Sequence, residues 1–188
     1  MGNLHPTLWR TCRTLANPRR LACLKAVFAN PGSPVEAIAE IAHIPHDQAS
    51  LCLRALQARG LICAERQSRW VRYSPVPDNS VPSAAPILTA LQRAFFHDKL
   101  TATAITETLT AFTHPRRLTI LSHLRLNAMQ PADQLSRLTQ ISPPALWRHL
   151  RKLKRRSLVS QTDDGWQLSA TPSPLAQTLL TITLCGQA

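Results

Sequence analysis

The sequence predicts a mainly α-helical protein built from two similar units, each of which ends in a small β-hairpin. The first observation is a repeat, because "LANPRRLACL" at residues 15–24 and "FTHPRRLTIL" at residues 112–121 share the core PRRL at an offset of 97 positions. The second is the length over which this offset holds, since apolar positions keep falling on apolar positions for about fifty residues without a gap. The third is a change from helical spacing to strand-like composition at the end of each copy.

The first unit contains three helix starts followed by a hairpin. Asn17 before Pro18 is typical of a helix N-cap with proline in the first turn. The stretch "SPVE" at residues 33–36 predicts a capping box that opens a short second helix. A third helix is expected over about residues 46–59, closed by Gly60 in a left-handed conformation. The segment "LICAERQSRWVRYS" then predicts two short strands around a polar turn.

The second unit repeats this plan. Helices are expected to begin at His114-Pro115, at Pro131 and at Ser142. Its hairpin is "LVSQTDDGWQLS", in which the dipeptide Asp164-Gly165 predicts the tight turn. A further helix is expected before and after each unit, and these four helices are predicted over residues 6–15, 86–97, 101–112 and 174–184.

The segment between the units is divided by composition. Residues 75–86 are rich in proline and poor in large apolar residues, which is typical of a linker or an extended strap. Residues 87–113 contain neither Gly nor Pro, and this connecting segment is either one long helix or two helices joined near His97. We therefore predict a first domain over residues 1–74 and a second domain, with a C-terminal helix, over residues 114–188.

Charge indicates the kind of partner. The chain carries 22 Lys and Arg against 10 Asp and Glu, a formal net charge of +12. A surface this basic favours a polyanion, either nucleic acid or membrane phosphates. The sequence has no run of about 20 apolar residues and no basic-then-apolar N-terminal leader, so we expect a cytoplasmic protein without a membrane partner.

Motifs for catalysis and metal binding are not found in the sequence. It lacks a nucleophile elbow, a phosphate-binding glycine loop, a zinc-protease histidine pair and a dinucleotide-binding glycine pattern. The five cysteines are odd in number, scattered and never spaced C-x-x-C, which is typical of a reducing cytosol. We therefore expect no enzyme activity, no metal and no cofactor.

Three helices and a hairpin, with the second and third helices joined by a tight turn, describe a winged helix-turn-helix, whose third helix enters the DNA major groove. The two PRRL stretches, continued by "AIAEIAHIPHDQASLCLRALQARGLI" and "DQLSRLTQISPPALWRHLRKLKRRSLV", resemble the arsenic-repressor (ArsR-like) regulators over most of both units. This resemblance implies a nucleoid-associated transcriptional repressor that binds double-stranded DNA. Relatives generally dimerise through their first and last helices, which implies self-association by these helices or, for a chain with two units, an intramolecular pseudo-dimer.

The second unit carries the stronger candidate contact surface. Residues 148–156 include six Lys and Arg and no acid, which is typical of a helix that contacts phosphates. Arg148 and His149 fall where base or near-base contacts are made, and Trp147 is expected to be partly exposed against a sugar or a thymine methyl group. The predicted contacts on this helix are Pro144, Ala145, Trp147, Arg148, His149, Arg151, Lys152, Lys154 and Arg155.

The first unit departs from this pattern, because Leu51 and Cys52 stand at the positions that match Arg148 and His149. Asp47 also repels a phosphate backbone unless it accepts from a cytosine amino group. The predicted contacts are His46, Gln48, Ser50 and Arg54 on the helix, and Arg66, Arg69 and Arg72 on the wing. Two interpretations stay open: this unit reads a second half-site more weakly, or it is a degenerate copy that serves as a scaffold.

Two other functions use the same folds. Plasmid-type replication initiators pair two winged helices on DNA repeats, and tandem winged-helix scaffolds bind protein partners, although a charge of +12 argues against the scaffold. Most cysteines are expected to be small buried hydrophobes, with Cys52 as the thiol whose oxidation would disturb DNA contact. Core packing is expected to account for Trp70 and Trp166 on the wings.

Overall fold

The computed structural model describes residues 7–185, with the side chain of Cys185 excepted. The predicted start of the leading helix at residue 6 and the chain end at residues 186–188 lie outside the described residues. Within the described part the fold is mainly helical with two small antiparallel sheets, as the sequence predicts, and this arrangement is compatible with winged helix-turn-helix architecture.

The N-terminal half of the described chain, residues 7–96, runs from a leading helix to a trailing helix. Its elements are α1 (Leu8–Leu15), α2 (Pro18–Ala29), β1 (Ser33–Pro34), α3 (Val35–Ala42), α4 (His46–Gln57), β2 (Cys63–Gln67), β3 (Trp70–Ser74) and α5 (Ala84–Phe96). The three strands form an antiparallel sheet in the order β1-β3-β2, so the hairpin is fastened to the start of α3.

The C-terminal half, residues 102–185, has the same order of helices and hairpin. Its elements are α6 (Ala102–Ala111), α7 (Pro115–Leu126), α8 (Ala132–Thr139), α9 (Pro143–Lys154), β4 (Val159–Thr162), β5 (Gly165–Leu168) and α10 (Pro174–Cys185). The connecting segment is therefore two helices, α5 and α6, and Lys99 in the break between them has φ of 50°.

The sequence offset of 97 reappears in the backbone. Adding 97 to the bounds of α2, α3 and α4 gives the bounds of α7, α8 and α9. The residues in the left-handed conformation follow the same offset. His43 at the end of α3 corresponds to Gln140 at the end of α8, and Gly60 after α4 corresponds to Ser157 after α9. These φ values lie between 53° and 67°, which is uncommon for residues other than glycine. In both halves, these helices are thus followed by a residue in the left-handed conformation.

The repeated PRRL motif joins two helices in each half. The second arginine of each copy donates back to the end of the preceding helix: Arg20 Nη1 to the Thr14 carbonyl at 3.1 Å, and Arg117 Nε to the Ala111 carbonyl at 2.7 Å. The residue before each proline caps the next helix through its side chain, as the sequence predicts at Asn17. A cation on the carbonyl end of a helix is favourable because those carbonyls lack helical partners.

Two local predictions were wrong. The capping box at residues 33–36 does not form, because Ser33 and Pro34 pair with β3 opposite Tyr73 and Arg72 and no side chain caps α3. The turn of the second hairpin consists of residues 163–164, since Gly165 already pairs with Thr162.

Gly165 is required by a close backbone approach rather than by that turn. Its φ is 151°, and a Cβ placed there would lie 2.5 Å from the carbonyl oxygen of Gln130. The neighbouring Trp166 exchanges two backbone hydrogen bonds of 2.8 Å with Gln130. This bridge fastens the second hairpin to the loop after α7.

The proline-rich segment packs against the first half. The Asp78 amide donates to the Gly60 carbonyl at 2.9 Å, and the Val81 side chain is buried. The trailing helix α5 begins at Ala84, within the segment predicted as linker over residues 75–86. This segment is therefore a strap with a helix start at its end.

The leading and trailing helices of the two halves pack on each other. Helix α1 contacts α6, and α5 contacts α10, while α6 also lies on α2. Buried side chains from both halves belong to one continuous apolar core, which includes Leu15 of α1, Leu91 of α5, Leu109 of α6 and Leu179 of α10. The two halves thus share their core through their terminal helices.

Candidate nucleic-acid interface

Helix α9 is held by its apolar side and presents its polar side outward. Leu146, Leu150 and Leu153 are buried, at the i, i+4, i+7 spacing of one helix face. The tight turn before α9 is closed by the Ser136 hydroxyl, which donates to the Ile141 carbonyl at 2.7 Å. This turn orients α9 relative to α8 in the manner of a helix-turn-helix.

The outer side of α9 and the two residues that follow it carry a group of basic residues, which we call the α9 cation cluster. Together they line an open depression of about 370 Å³. The cluster consists of Arg148, Arg151, Lys152, Arg155 and Arg156. No acidic side chain lines this depression, so its field attracts anions.

Most of the α9 cation cluster has no carboxylate partner within the described residues. Arg156 is the exception, since its Nη1 lies 2.7 Å from Oε1 of Glu107 on α6. Burial lowers the pKa of Lys152, and repulsion from Arg117, Arg156 and Arg155 lowers it further. Repulsion among these like charges destabilises the free cluster, and a bound anion would relieve that repulsion.

Lys154 lies toward the wing. Its Nζ is 5.8 Å from the centroid of the Trp166 ring and donates to Oε1 of Gln161 at 3.4 Å. Trp166 is buried, as expected, and contacts the ring of Trp147 edge to face at 5.7 Å. Trp147 stays 42% exposed, so the buried ring of the wing supports an aromatic surface on the outer side of α9.

His149 differs from the neighbouring cations. Its ring centroid lies 4.7 Å from that of His114, at the start of α7. Burial lowers the pKa of His149 to about 4, and His114, Arg117, Arg116 and Arg148 lower it in addition. His149 is therefore neutral at pH 7 and offers a donor or an acceptor to a base, not a charge to a phosphate.

Two other residues predicted on α9 lie in different settings. Pro144 is exposed in the first turn, as a contact residue must be. Ala145, predicted on the outward side, is instead buried with 5% exposure, because its methyl group packs in the core. An alanine is found on both the buried and the exposed sides of helices, so the sequence alone did not show on which side Ala145 lies.

The corresponding helix α4 has a different surface. His46 Nε2 lies 3.4 Å from Oε1 of Glu36, and Arg19 Nη1 donates to Oε1 of Gln48 at 3.1 Å. Asp47 and Leu51 are exposed. Two further predicted contacts are Ser50, which is half-buried, and Arg54, which is exposed.

The first wing is basic and exposed. Arg69 stacks over the ring of Trp70 with 5.2 Å to its centroid, and Arg72 Nη1 donates to the Gly32 carbonyl at 2.9 Å. Arg66 Nε donates to the Ser68 carbonyl at 3.4 Å. The sequence predicts that core packing accounts for Trp70. This prediction was wrong, because the side chain of Trp70 is exposed. This wing keeps its arginines on the surface although α4 has few cations.

Arg116 is a surface cation that sequence reasoning did not include. It is exposed in the first turn of α7 and is close enough to lower the pKa of His149. The PRRL motif could have indicated this residue. Arg117, the second arginine of the second copy, is buried, and the first arginine, Arg116, is therefore the one that lies on the surface. Arg116 therefore extends the basic surface beyond α9.

The described residues contain neither a cluster of metal ligands nor a helix that could span a membrane. No group of three or more His, Cys, Asp or Glu able to hold a metal ion occurs within residues 7–185. Among the helices in that part of the chain, none is long and apolar enough to cross a bilayer.

Comparison with known proteins identifies a domain in the C-terminal half. Residues 114–161 match the family of bacterial regulatory proteins called the arsR family, from the residue that caps α7 to the third residue of β4. No curated protein matches the chain. The chain thus carries one ArsR-family helix-turn-helix domain, which supports a DNA-binding transcription regulator acting on double-stranded DNA. Regulators of this family are DNA-binding proteins and not enzymes.

Proposed function

We propose that the chain is a sequence-specific transcriptional repressor in which α9 enters the major groove of double-stranded DNA. The observation that carries this proposal is the α9 cation cluster, which lies on the outer side of the recognition helix of the matched domain. Four of its five members have no carboxylate partner among the described residues, so phosphate oxygens are their natural counter-ions.

The contact set on α9 divides by chemistry. Arg148 and Trp147 lie in the first half of the helix, where a major-groove helix meets base edges. Arg151, Lys152 and Arg155 continue along the helix and suit the phosphate backbone. His149 is neutral, so it contributes at most a directional hydrogen bond. Lys154 contributes at the junction between α9 and the wing.

We further propose that the two halves are two winged-helix units that form a pseudo-dimer within one chain. The common offset of helix bounds, left-handed residues and arginine caps supports the duplication. The contacts of α1 with α6 and of α5 with α10 support the pseudo-dimer, because these terminal helices are the ones by which ArsR-like relatives dimerise. In this proposal the domains span residues 1–74 and 114–188, and the segments between them are the strap and two packing helices.

The halves would then read unlike half-sites. Helix α4 has an exposed leucine, Leu51, where α9 has Arg148, and it carries Asp47 in its first turn, so the N-terminal half reads its half-site weakly. Its main contribution comes from wing phosphate contacts by Arg66, Arg69 and Arg72. The operator is accordingly imperfectly palindromic, with half-sites about one helical turn of DNA apart.

Binding-site selection followed by gel shifts over a salt series tests this proposal. Three phosphate contacts from α9 and three from the first wing predict a fall in affinity of about 2,000-fold between 50 and 200 mM salt. A single imperfect site bound by one chain agrees with the proposal. Perfect palindromes bound by two chains would overturn the intramolecular pseudo-dimer, and affinity insensitive to salt would overturn the α9 interface. Footprints at promoters agree with a repressor, whereas footprints at an origin would make the chain a replication initiator.

A further inference from the structure

A carboxylate on α6 contacts the end of the α9 cation cluster. Oε1 of Glu107 lies 2.7 Å from Nη1 of Arg156, the last member of the cluster in the chain. The other ion pairs of the described residues lie outside the cluster. Glu107 belongs to α6, which packs on α1, α2 and α10. The contact therefore joins the recognition helix to a helix that packs on both halves.

We propose that Glu107 competes with DNA for Arg156 and thereby lowers the affinity of the chain for its operator. Arg156 directly follows Arg155, at the end of the helix that we assign to phosphate contacts. While the carboxylate holds Arg156, this guanidinium is withheld from the DNA backbone. The inference rests on the proposed function, because it concerns the same basic surface. It adds a residue that weakens binding to a contact set whose members all strengthen it.

The two halves differ in charge at this pair of positions. The positions that precede Glu107 and Arg156 by 97 residues are Arg10 and Arg59, so the N-terminal half has two cations where the C-terminal half has a carboxylate and a cation. The offset applies to these leading helices as well, because Leu15 of α1 and the matching Phe112 after α6 are both fully buried. The carboxylate is thus particular to the half that carries the cation cluster.

The exposure of the two side chains limits the strength of this competition. The Glu107 side chain is 56% exposed, whereas that of Arg156 is 27% exposed. Water reaches the carboxylate, so the ion pair is weak and a phosphate oxygen can replace it at small cost. Glu107 therefore reduces operator affinity without preventing operator binding.

The direction of the effect follows from what Glu107 does in the free protein. The five cations of the cluster lie close together and repel one another. The carboxylate of Glu107 offsets part of that repulsion when no DNA is present, and phosphates take over this role in the complex. A contact that stabilises the free state more than the bound state lowers the affinity for the ligand.

The first experiment compares two variants that each lose one negative charge. Glu107→Gln should bind the selected operator about 5-fold more tightly in gel shifts, near the upper limit for one exposed ion pair. One added phosphate contact should also enlarge the fall in affinity between 50 and 200 mM salt by about 3.5-fold. Asp98→Asn is the matched control, because it breaks an ion pair with Arg93, which lies outside the cluster, and its affinity should change less than about 2-fold. Unchanged or weaker binding by Glu107→Gln, or an equal gain in both variants, would overturn the proposal.

A double-mutant cycle tests whether the effect passes through Arg156. Arg156→Gln alone should lower affinity by less than about 2-fold, because Glu107 already withholds this cation. In the Glu107→Gln background the same change should remove the gain of about 5-fold. A gain that persists in full in the double variant would mean that the carboxylate acts by general repulsion of DNA, and the assignment to Arg156 would be wrong.

Retention on heparin, a sulfated polyanion, separates this inference from the proposed function. The full-length variants are eluted from a heparin column with rising sodium chloride. Glu107→Gln should elute at higher salt than Asp98→Asn, although both variants have the same net charge. Elution at the same salt would contradict the competition by Glu107. Failure of the wild type to bind DNA in gel shifts would instead count against the proposed function, and the heparin comparison would still decide whether Glu107 occupies Arg156.

Discussion

Helices α4 and α9 have the same length and are approached through the same left-handed turn, yet their outer sides have opposite chemistry. Helix α9 carries the cation cluster and an exposed tryptophan. Helix α4 presents Asp47 and Leu51, with Arg54 as its exposed cation. Their buried sides are alike, because Leu53 and Leu56 in α4 match Leu150 and Leu153 in α9.

The difference shows which features the two segments share and in which they differ. Surface substitutions typically alter the free energy of unfolding by less than about 0.5 kcal/mol, whereas core and backbone changes cost several times more. The arginine cap, the left-handed residues and the leucine positions, which belong to the core and the backbone, are common to both halves. The outer surfaces are free to differ, and we infer that function rests on them.

The largest effect is expected from the α9 cation cluster. Replacing Arg148, Arg151 and Arg155 together by Ala removes three of its cations without touching the buried side. We expect operator affinity to fall about 300-fold, since each lost phosphate or base contact costs about 1 kcal/mol or more. Gel shifts at fixed salt measure this, and the salt dependence should become shallower by about two phosphate contacts, those of Arg151 and Arg155, because Arg148 meets base edges.

The matched control for that variant lies on the first wing. Replacing Arg66, Arg69 and Arg72 by Ala removes the same charge from the N-terminal half. We expect a loss of about 10-fold, because this wing adds only weaker backbone contacts. Equal losses from both triple variants would show that the two halves contribute equally, and would contradict the stronger role assigned to α9.

The capping arginines sharpen the comparison through stability. Arg117 is buried and donates to the carbonyls of Ala111 and Thr110 and to the Thr113 hydroxyl, whereas Arg20 is half-buried and donates to one carbonyl. We expect Arg117→Met to lower the free energy of unfolding by about 3 kcal/mol and Arg20→Met by about 1 kcal/mol. Urea denaturation followed by circular dichroism measures both. A larger loss from Arg20→Met would contradict the burial difference.

The imidazole pair predicts a dependence on pH that is confined to the C-terminal half. The pKa of His149 is lowered from its ordinary value of 6.5 to about 4, chiefly by burial. His149 therefore binds a proton more tightly in the unfolded chain than in the folded one. The free energy of unfolding accordingly decreases as pH falls from 6.5 toward 4. Between pH 7 and pH 5 we expect the wild type to lose about 1 kcal/mol more than His149→Asn, allowing for solvent screening. Equal losses in thermal or urea unfolding would contradict this assignment.

The smallest effect is expected where the two halves use different residues for one backbone conformation. Ser157 has φ of 54° at the position that Gly60 occupies, with φ of 67°, in the first half. Ser157→Gly should raise the free energy of unfolding by about 0.5 kcal/mol, because glycine adopts this conformation without steric cost. Gly60→Ser should lower it by at least as much, since a Cβ there lies 2.9 Å from Val81 Cγ2. Calorimetric melting temperatures of the two variants check both signs.

Much of the fold was predictable because its signals are local. Asn17 and Pro18 predict the start of α2, and Gly60 predicts the left-handed residue shortly after α4, since capping and left-handed turns depend on neighbouring residues. The failed capping box at residues 33–36 has a distant cause, as Ser33 pairs with Tyr73 forty positions away. Of the site, the row of cations on α9 was visible because charge and helical spacing are both written in the chain.

By itself the sequence determined the 97-residue repeat, the helix starts and the basic character of α9, because periodicity, capping and charge are properties of adjacent residues. Only the tertiary structure decided that Ala145 is buried and that His149 is neutral. Burial and desolvation depend on side chains from other helices, and those helices meet only when the chain is folded.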